Sequence, residues 1–177
     1  MRRVIAPPLI SVLLSLLLSA SDAVWLDIPF VKQETNGCGA ASIAMVMQYW
    51  ARQSGRSPDA DPTTIQRALY SRDARGIYAS AMEKYLQQNG FQTFVLAGSW
   101  SDLEHHLERG RPLIVAIRPA GEAALHYAVV AGIENDNLLL NDPARRKLLK
   151  YTRSGFEREW KATSNWTLLA LPRSATP

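Results

Sequence analysis

The chain holds 177 residues, 47% of them hydrophobic and 20% charged, with a formal net charge of +4. Those proportions exclude a disordered, collagen-like or repeat protein. The basic excess is small, and the short cluster Arg145-Arg146-Lys147 reads as a solvated turn, so nothing points to nucleic acid.

Residues 1–23 carry two early arginines, Pro7-Pro8, an apolar run over 9–18 and the small-x-small signal Ser21-Asp22-Ala23. This is the layout of a secretory signal peptide, and the run falls short of the ~20 residues a membrane span requires. The expectation is a signal peptide over 1–23 and one exported domain over 24–177, periplasmic or extracellular. An uncleaved segment would allow transient membrane association. A domain of ~150 residues buries enough surface to fold without disulfides.

Residues 25–31 read as extended and lead into a helix at Cys38. Ala40, Ile43, Ala44, Met47 and Trp50 give that helix an apolar stripe, with Asn36 as its N-cap. A polar loop over 52–61 precedes a helix that Asp61-Pro62 starts and that runs to about Tyr70. A third helix over 78–88 closes at Asn89-Gly90. Strand 91–96 follows, then a helix opened by the capping box Ser101-Asp102-Leu103-Glu104 and ending near Arg109-Gly110. Strands are expected over 113–117, 125–133, 138–141, 147–151 and 166–171, with a helical turn over 156–160. The 125–133 strand is apolar on both faces and so should be central. Helices first and strands later argue for an α+β fold, with helices packed on a mostly antiparallel sheet.

Cys38 is the single cysteine. In an exported chain it is a buried thiol, an intermolecular bridge or a nucleophile. Gly37 and Gly39 flank it, and the first turn of a buried helix offers free N–H groups and a dipole that favour a thiolate. His126 opens the apolar strand and needs a partner there, either backbone or the thiol. Asp142 follows Leu138–Asn141, read alone either as a turn-initiating Asp-Pro or as a partner for His126. A regular hairpin turning at 134–137 would set Asp142 opposite Val129, on the face away from His126. Bringing the two together by direct pairing needs an odd-length loop or a β-bulge; otherwise Asp142 must reach around at the strand end. Gln33, five residues before Cys38, is either an exposed loop residue or a second donor beside the Cys38 N–H in an oxyanion hole. His105 and His106 are neighbours on a helix and point about 100° apart, which suits surface residues better than a shared metal. Trp25, Tyr78 and Trp100 are candidates for a cleft wall, with core the better reading of each.

Gln33, the run Asn36-Gly37-Cys38-Gly39-Ala40-Ala41-Ser42, the segment from His126 to Ile133 and Asn141-Asp142-Pro143 together resemble one family. It is the bacterial papain-like cysteine peptidases that remove double-glycine leader peptides from bacteriocin precursors, with their free-standing relatives. The resemblance runs from about residue 28 to 171. It implies a papain-like fold, a helical part carrying Cys38 packed on a sheet carrying His126 and Asp142. It implies Cys38 as nucleophile, His126 as general base and acid, Asp142 as the group orienting His126, and Gln33 as oxyanion donor. No metal or cofactor is implied, and the substrate is a peptide or protein. In the bacteriocin processors this domain is fused to a transporter and works in the cytoplasm, whereas an export signal here leads away from a leader as substrate. Two other readings share these residues: a papain-like module that grips a peptide without cleaving it, and an amidase or transpeptidase acting on cell-wall peptides.

Overall fold

A computed structural model describes residues 23–55 and 60–173. The segment read as a signal peptide lies outside them, apart from Ala23. The elements run β1 (Ala23–Trp25), α1 (Cys38–Gln53), α2 (Pro62–Leu69), α3 (Ala79–Gln88), β2 (Phe91–Ala97), α4 (Trp100–Glu108), β3 (Leu113–Ile117), β4 (His126–Glu134), β5 (Asn137–Asn141), β6 (Leu149–Thr152), α5 (Arg153–Lys161) and β7 (Trp166–Pro172). The strands form one sheet in the order β2-β7-β3-β4-β5-β6, with β1 added to β4, and every described pairing is antiparallel. The expected α+β architecture is what the chain adopts.

Alternation along the central strands separates two cores. Ile114, Ala116, Tyr127, Val129 and Ala131 face the layer of α1, α2 and α3. Leu113, Val115, Ile117, Ala128 and Val130 face α4 and α5, against Trp100, Leu103, Phe156 and Trp160. β4 is buried from Tyr127 to Ile133, as its two-sided apolar sequence requires. α1 is buried nearly all round over 39–47 rather than along one stripe, because α2 and α3 cover what the sheet leaves.

Several local expectations shift. Gly37, not Asn36, is the N-cap of α1, and Asn36 takes a left-handed φ of 56° to turn the chain into the helix. The capping box of α4 sits two residues earlier. The Ser99 hydroxyl accepts from the Asp102 N–H at 3.2 Å, and the Ser99 N–H donates to Asp102 Oδ2 at 2.8 Å. The 156–160 turn is the core of a full helix, α5, capped by Thr152. Trp100 is core, but Trp25 and Tyr78 are more than half exposed. His106 is half-buried rather than a surface residue, while His105 is exposed and pairs with Arg109.

The hairpin between β4 and β5 carries the irregularity that register demands. Glu134 pairs with Asn137 and Gly132 with Leu139, but Val130 pairs with Leu140, so Ala131 bulges out. The parity change puts Ala128, Val130, Leu138 and Leu140 into one core. It also sends His126 and Asp142 to the same side of the sheet. At the far end of the hairpin β1 crosses so close that a Cβ on Gly132 would meet Val24 O and Trp25 Cβ at 2.6 Å.

Candidate active site

Three segments converge where β4 begins. α1 supplies Cys38 as its first residue, β4 supplies His126 as its first residue, and the turn after β5 supplies Asp142. Gly39 lets the wall close in, since a Cβ there would lie 3.1 Å from Ile77 Cβ.

His126 Nε2 lies 2.8 Å from Asp142 Oδ1, with the two side chains 13% and 2% exposed. The same ring hydrogen-bonds the Cys38 sulfur. With Nε2 engaged by the carboxylate, Nδ1 is the nitrogen left for the thiol. Asp142 is itself fixed. Its Oδ1 accepts the Ala144 N–H at 2.9 Å, its own N–H donates to Arg146 O at 3.1 Å, and Arg145 Nε stands 3.7 Å from Oδ2. This is the Asx geometry that Asp-Pro favours.

The electrostatics follow from that contact set. Burial pushes the Cys38 thiol up, but hydrogen bonds from His126 and from the Tyr127 and Gly39 backbone N–H groups outweigh it, and the net direction is down. Burial pushes His126 down, yet the hydrogen bonds with Asp142 and Cys38 and their charges raise it to about 9. Burial pushes Asp142 up, and His126, the Ala144 N–H and Arg145 carry it below the usual carboxylate range. All three directions favour one state, a thiolate beside an imidazolium beside a carboxylate. The tyrosine next along, Tyr127, is driven up to about 12 by burial and by the thiolate's charge. Its hydroxyl therefore stays neutral.

Gln33 comes from the segment between β1 and α1. Its N–H donates to Pro143 O at 2.9 Å, so its loop is tied to the turn that carries Asp142. Its side chain stands at the start of α1, sharing a small void with Gly37, Ala40 and Ala41. Asn141 has a structural part that its sequence context did not single out. Fully buried, it donates from Nδ2 to Ile28 O at 3.3 Å and accepts the Leu148 N–H on Oδ1 at 3.0 Å. A polar residue ending an apolar strand was the available signal. The Tyr127 N–H, a donor to sulfur, left no trace in the side-chain pattern.

A family model described as the Peptidase_C39 like family matches residues 25–168. The lactococcin-G-processing and transport ATP-binding protein LagD of Lactococcus lactis subsp. lactis is 31% identical over 134 residues. That match covers 73% of this chain, which spans 17% of the length of that relative. A putative C39-like peptidase from Bacillus anthracis superposes with a TM-score of 0.70 at 16% identity, covering 86% of this chain and 99% of that one. The peptidase domain of Streptococcus ComA, a bifunctional ABC transporter of a quorum-sensing pathway, gives 0.64 at 23% identity, with 81% and 98% covered. A double glycine motif protease from an AMS/PCAT transporter, solved with its leader peptide, gives 0.64 at 21% identity, with 84% and 94% covered. These structures share the fold.

The expected periplasmic or extracellular location is corrected by these comparisons. Three of the matched proteins, LagD, ComA and the AMS/PCAT protease, are transport proteins or peptidase domains of transporters, which sets such domains on the cytoplasmic side. The export reading rested on hydropathy in 1–23, and an apolar run after two arginines is a composition pattern that does not by itself specify secretion.

Proposed function

This chain belongs to the Peptidase_C39 like family of cysteine peptidases, and on that premise we propose that it hydrolyses a peptide bond through Cys38, His126 and Asp142, with Gln33 and the Cys38 N–H as oxyanion donors. The observation that carries the reading is the 2.8 Å contact of His126 Nε2 with Asp142, made by the same ring that bonds the Cys38 sulfur.

The thiolate attacks the scissile carbonyl carbon, forming a C–S bond while the oxygen takes the negative charge. The Gln33 amide and the Cys38 N–H hold that oxygen, a donor of this kind being worth roughly 3–4 kcal/mol. The imidazolium gives its proton to the amide nitrogen, the C–N bond breaks, and the amine leaves a thioester on Cys38. Neutral His126 then takes a proton from water, whose oxygen attacks the thioester. The tetrahedral adduct then collapses with cleavage of the C–S bond, releasing the carboxylic acid product and the Cys38 thiolate, and the proton taken from water stays on His126, so the thiolate–imidazolium pair is restored. Asp142 keeps the ring oriented and favours its charged form. The Tyr127 and Gly39 N–H groups hold the sulfur's charge between turnovers.

The substrate is a peptide. A solved neighbour holds the leader of a double glycine motif protease, so the first peptide to test ends in Gly-Gly ahead of a fluorogenic amide. Wild type should cleave it and accumulate a thioester adduct visible by intact mass at low pH. Cys38→Ser should fold with an unchanged circular dichroism spectrum, show no thioester and lose turnover. A serine variant that cleaves at the wild-type rate removes the mechanism.

A further inference from the structure

Two buried amide oxygens beside α1 accept no hydrogen bond from the protein. They are Gln33 Oε1 and Gln66 Oε1, and neither is open to bulk solvent. Both residues line one void of about 10 Å³, together with Glu34, Gly37, Ala40, Ala41 and Pro62. The orientation of Gln66 is set, because its Nε2 donates to Asn36 O at 3.4 Å. Leaving two such acceptors unmet would be costly, and buried carbonyl oxygens are nearly always satisfied.

Several of the walls have nothing to offer them. The Gly37 N–H is spent on Glu34 O at 2.9 Å and the Ala41 N–H on Gly37 O at 2.9 Å, and Pro62 has no N–H. Alanine side chains donate nothing. A partner that meets both oxygens at once is small and offers two hydrogens. A void of this volume is about the size that admits one water molecule. The Ala40 N–H, in the first turn of α1 where no helical carbonyl lies four residues back, gives the same molecule something to accept.

We propose that a structural water fills this void, donating one hydrogen to Gln33 Oε1 and one to Gln66 Oε1, and that Gln66 is thereby a positioning residue for the oxyanion-hole amide. The inference rests on the reading of Gln33 as oxyanion donor. Fixing the oxygen of a carboxamide fixes its NH₂ group on the opposite side. With Oε1 anchored in the void, Gln33 Nε2 is presented away from it, where the oxyanion reading places the reacting oxygen. Such anchoring is what an oxyanion donor needs, since its contribution depends on being aimed before charge develops. Gln66 reaches the site from α2, a helix otherwise without a part in the chemistry.

The test is Gln66→Leu in the full chain, beside Gln33→Ala and the double variant. Three quantities are read: kcat on the Gly-Gly fluorogenic peptide, the inhibition constant of the matching peptide aldehyde, and the rate of iodoacetamide alkylation. The aldehyde adduct needs the oxyanion donors, and alkylation does not. Gln66→Leu should lower kcat and aldehyde affinity by roughly tenfold, leaving KM, alkylation and Tm unchanged. Added to Gln33→Ala it should cost nothing further. Equal losses in alkylation and kcat, or effects that multiply in the double variant, overturn the positioning role. A high-resolution crystal structure with no density between the two oxygens overturns the water. If Gln33→Ala leaves kcat intact, the oxyanion reading is what fails, and the density alone then decides whether the water is there.

Discussion

Replacing Asp142 by Asn isolates one charge at the site with little change of shape. Oδ1 accepts the Ala144 N–H at 2.9 Å and faces His126 Nε2 at 2.8 Å. The backbone donor holds the carbonyl end of an asparagine in that position, so the ring keeps its tautomer. The amide NH₂ falls on the other side, toward Arg145. What changes is the stabilisation of the imidazolium. His126 stands at about 9, some way above an ordinary imidazole, and the Asp142 hydrogen bond is the largest of the causes that raise it. Assigning half or more of that rise to the carboxylate gives a fall of roughly 1–2 pKa units, or about 1.4 kcal/mol for each unit. The thiolate loses a cationic neighbour in the same step, so the Cys38 titration moves up as that of His126 moves down. The pH range of the ion pair should therefore narrow from both ends. The assay is kcat/KM against pH on the Gly-Gly peptide for the alkaline limb, and iodoacetamide alkylation against pH for the acid limb. Both limbs belong to the coupled pair rather than to one residue. Asp142→Ala should show the same narrowing and an added fall at the optimum, because it also frees the ring. An Asp142→Asn enzyme with both limbs unmoved refutes the claim that this carboxylate sets the charge state of the site.

Gly132→Ala pushes a methyl into Trp25 Cβ and Val24 O; overpacking of that kind costs roughly 1–3 kcal/mol, to be read as a lower urea midpoint. Hydrogen exchange should localise the loss to β1. Asn141→Leu deprives Ile28 O and the Leu148 N–H of their partner, and a few kcal/mol of stability should go with it. Activity should fall with stability, because the Gln33 segment and the Asp142 turn lose one of the bonds that hold them together. Stability should also depend on pH through the triad. His126 is raised in the folded state, so its contribution is full below an unfolded imidazole's value and disappears as pH rises through about 9. Asp142 is lowered, so its share is present above the unfolded carboxylate value and lost in acid. The difference in urea midpoint between wild type and His126→Gln should peak between roughly pH 4 and 6.5 and shrink toward pH 9. A flat difference would mean that the pair carries no folding energy.

Much of this site is legible in sequence because its chemistry uses residues that local rules disfavour. A cysteine between two glycines at a helix start and a histidine opening an apolar strand both conflict with simple packing, and both sit at the site. The hairpin is a stronger case. Strict alternation along β4 and β5 sets His126 and Asp142 on opposite faces, so their proximity calls for an odd loop, a bulge or a reach around the strand end, and the bulge at Ala131 is the one the chain uses. What local rules could not decide were choices between equivalent local patterns. Ser99 with Asp102 and Ser101 with Glu104 both satisfy a capping box. Burial of Trp100, Leu103 and Leu107 on one side of α4 selects the first, because that stripe begins at Trp100. Asn36 has the chemistry of an N-cap, but the chain must reverse there, and Asn tolerates the left-handed φ that the reversal needs. The all-round burial of α1 depends on α2 and α3 packing against it, a tertiary fact no single window contains.

The same reasoning explains why the catalytic geometry can be held without a disulfide. The segment 27–33 and the turn 141–147 are far apart in the chain, yet three contacts of different kinds join them. Lys147 Nζ reaches Asp27 at 2.6 Å, Asn141 holds Ile28 O, and the Gln33 N–H holds Pro143 O, while from the same turn Asp142 reaches on to His126 in β4. The Lys147–Asp27 pair is exposed and contributes little by itself. The two backbone-directed bonds engage groups that would otherwise be left unsatisfied on burial, so breaking either costs more than forming it gains. That asymmetry makes the seam resistant to small displacements. It places the burden of alignment on Asn141 and Pro143, neither of which touches the sulfur. Gln33 is then fixed by its backbone to the turn that bears the carboxylate, and only through the proposed water would its side chain be tied to the start of the helix that bears the thiol.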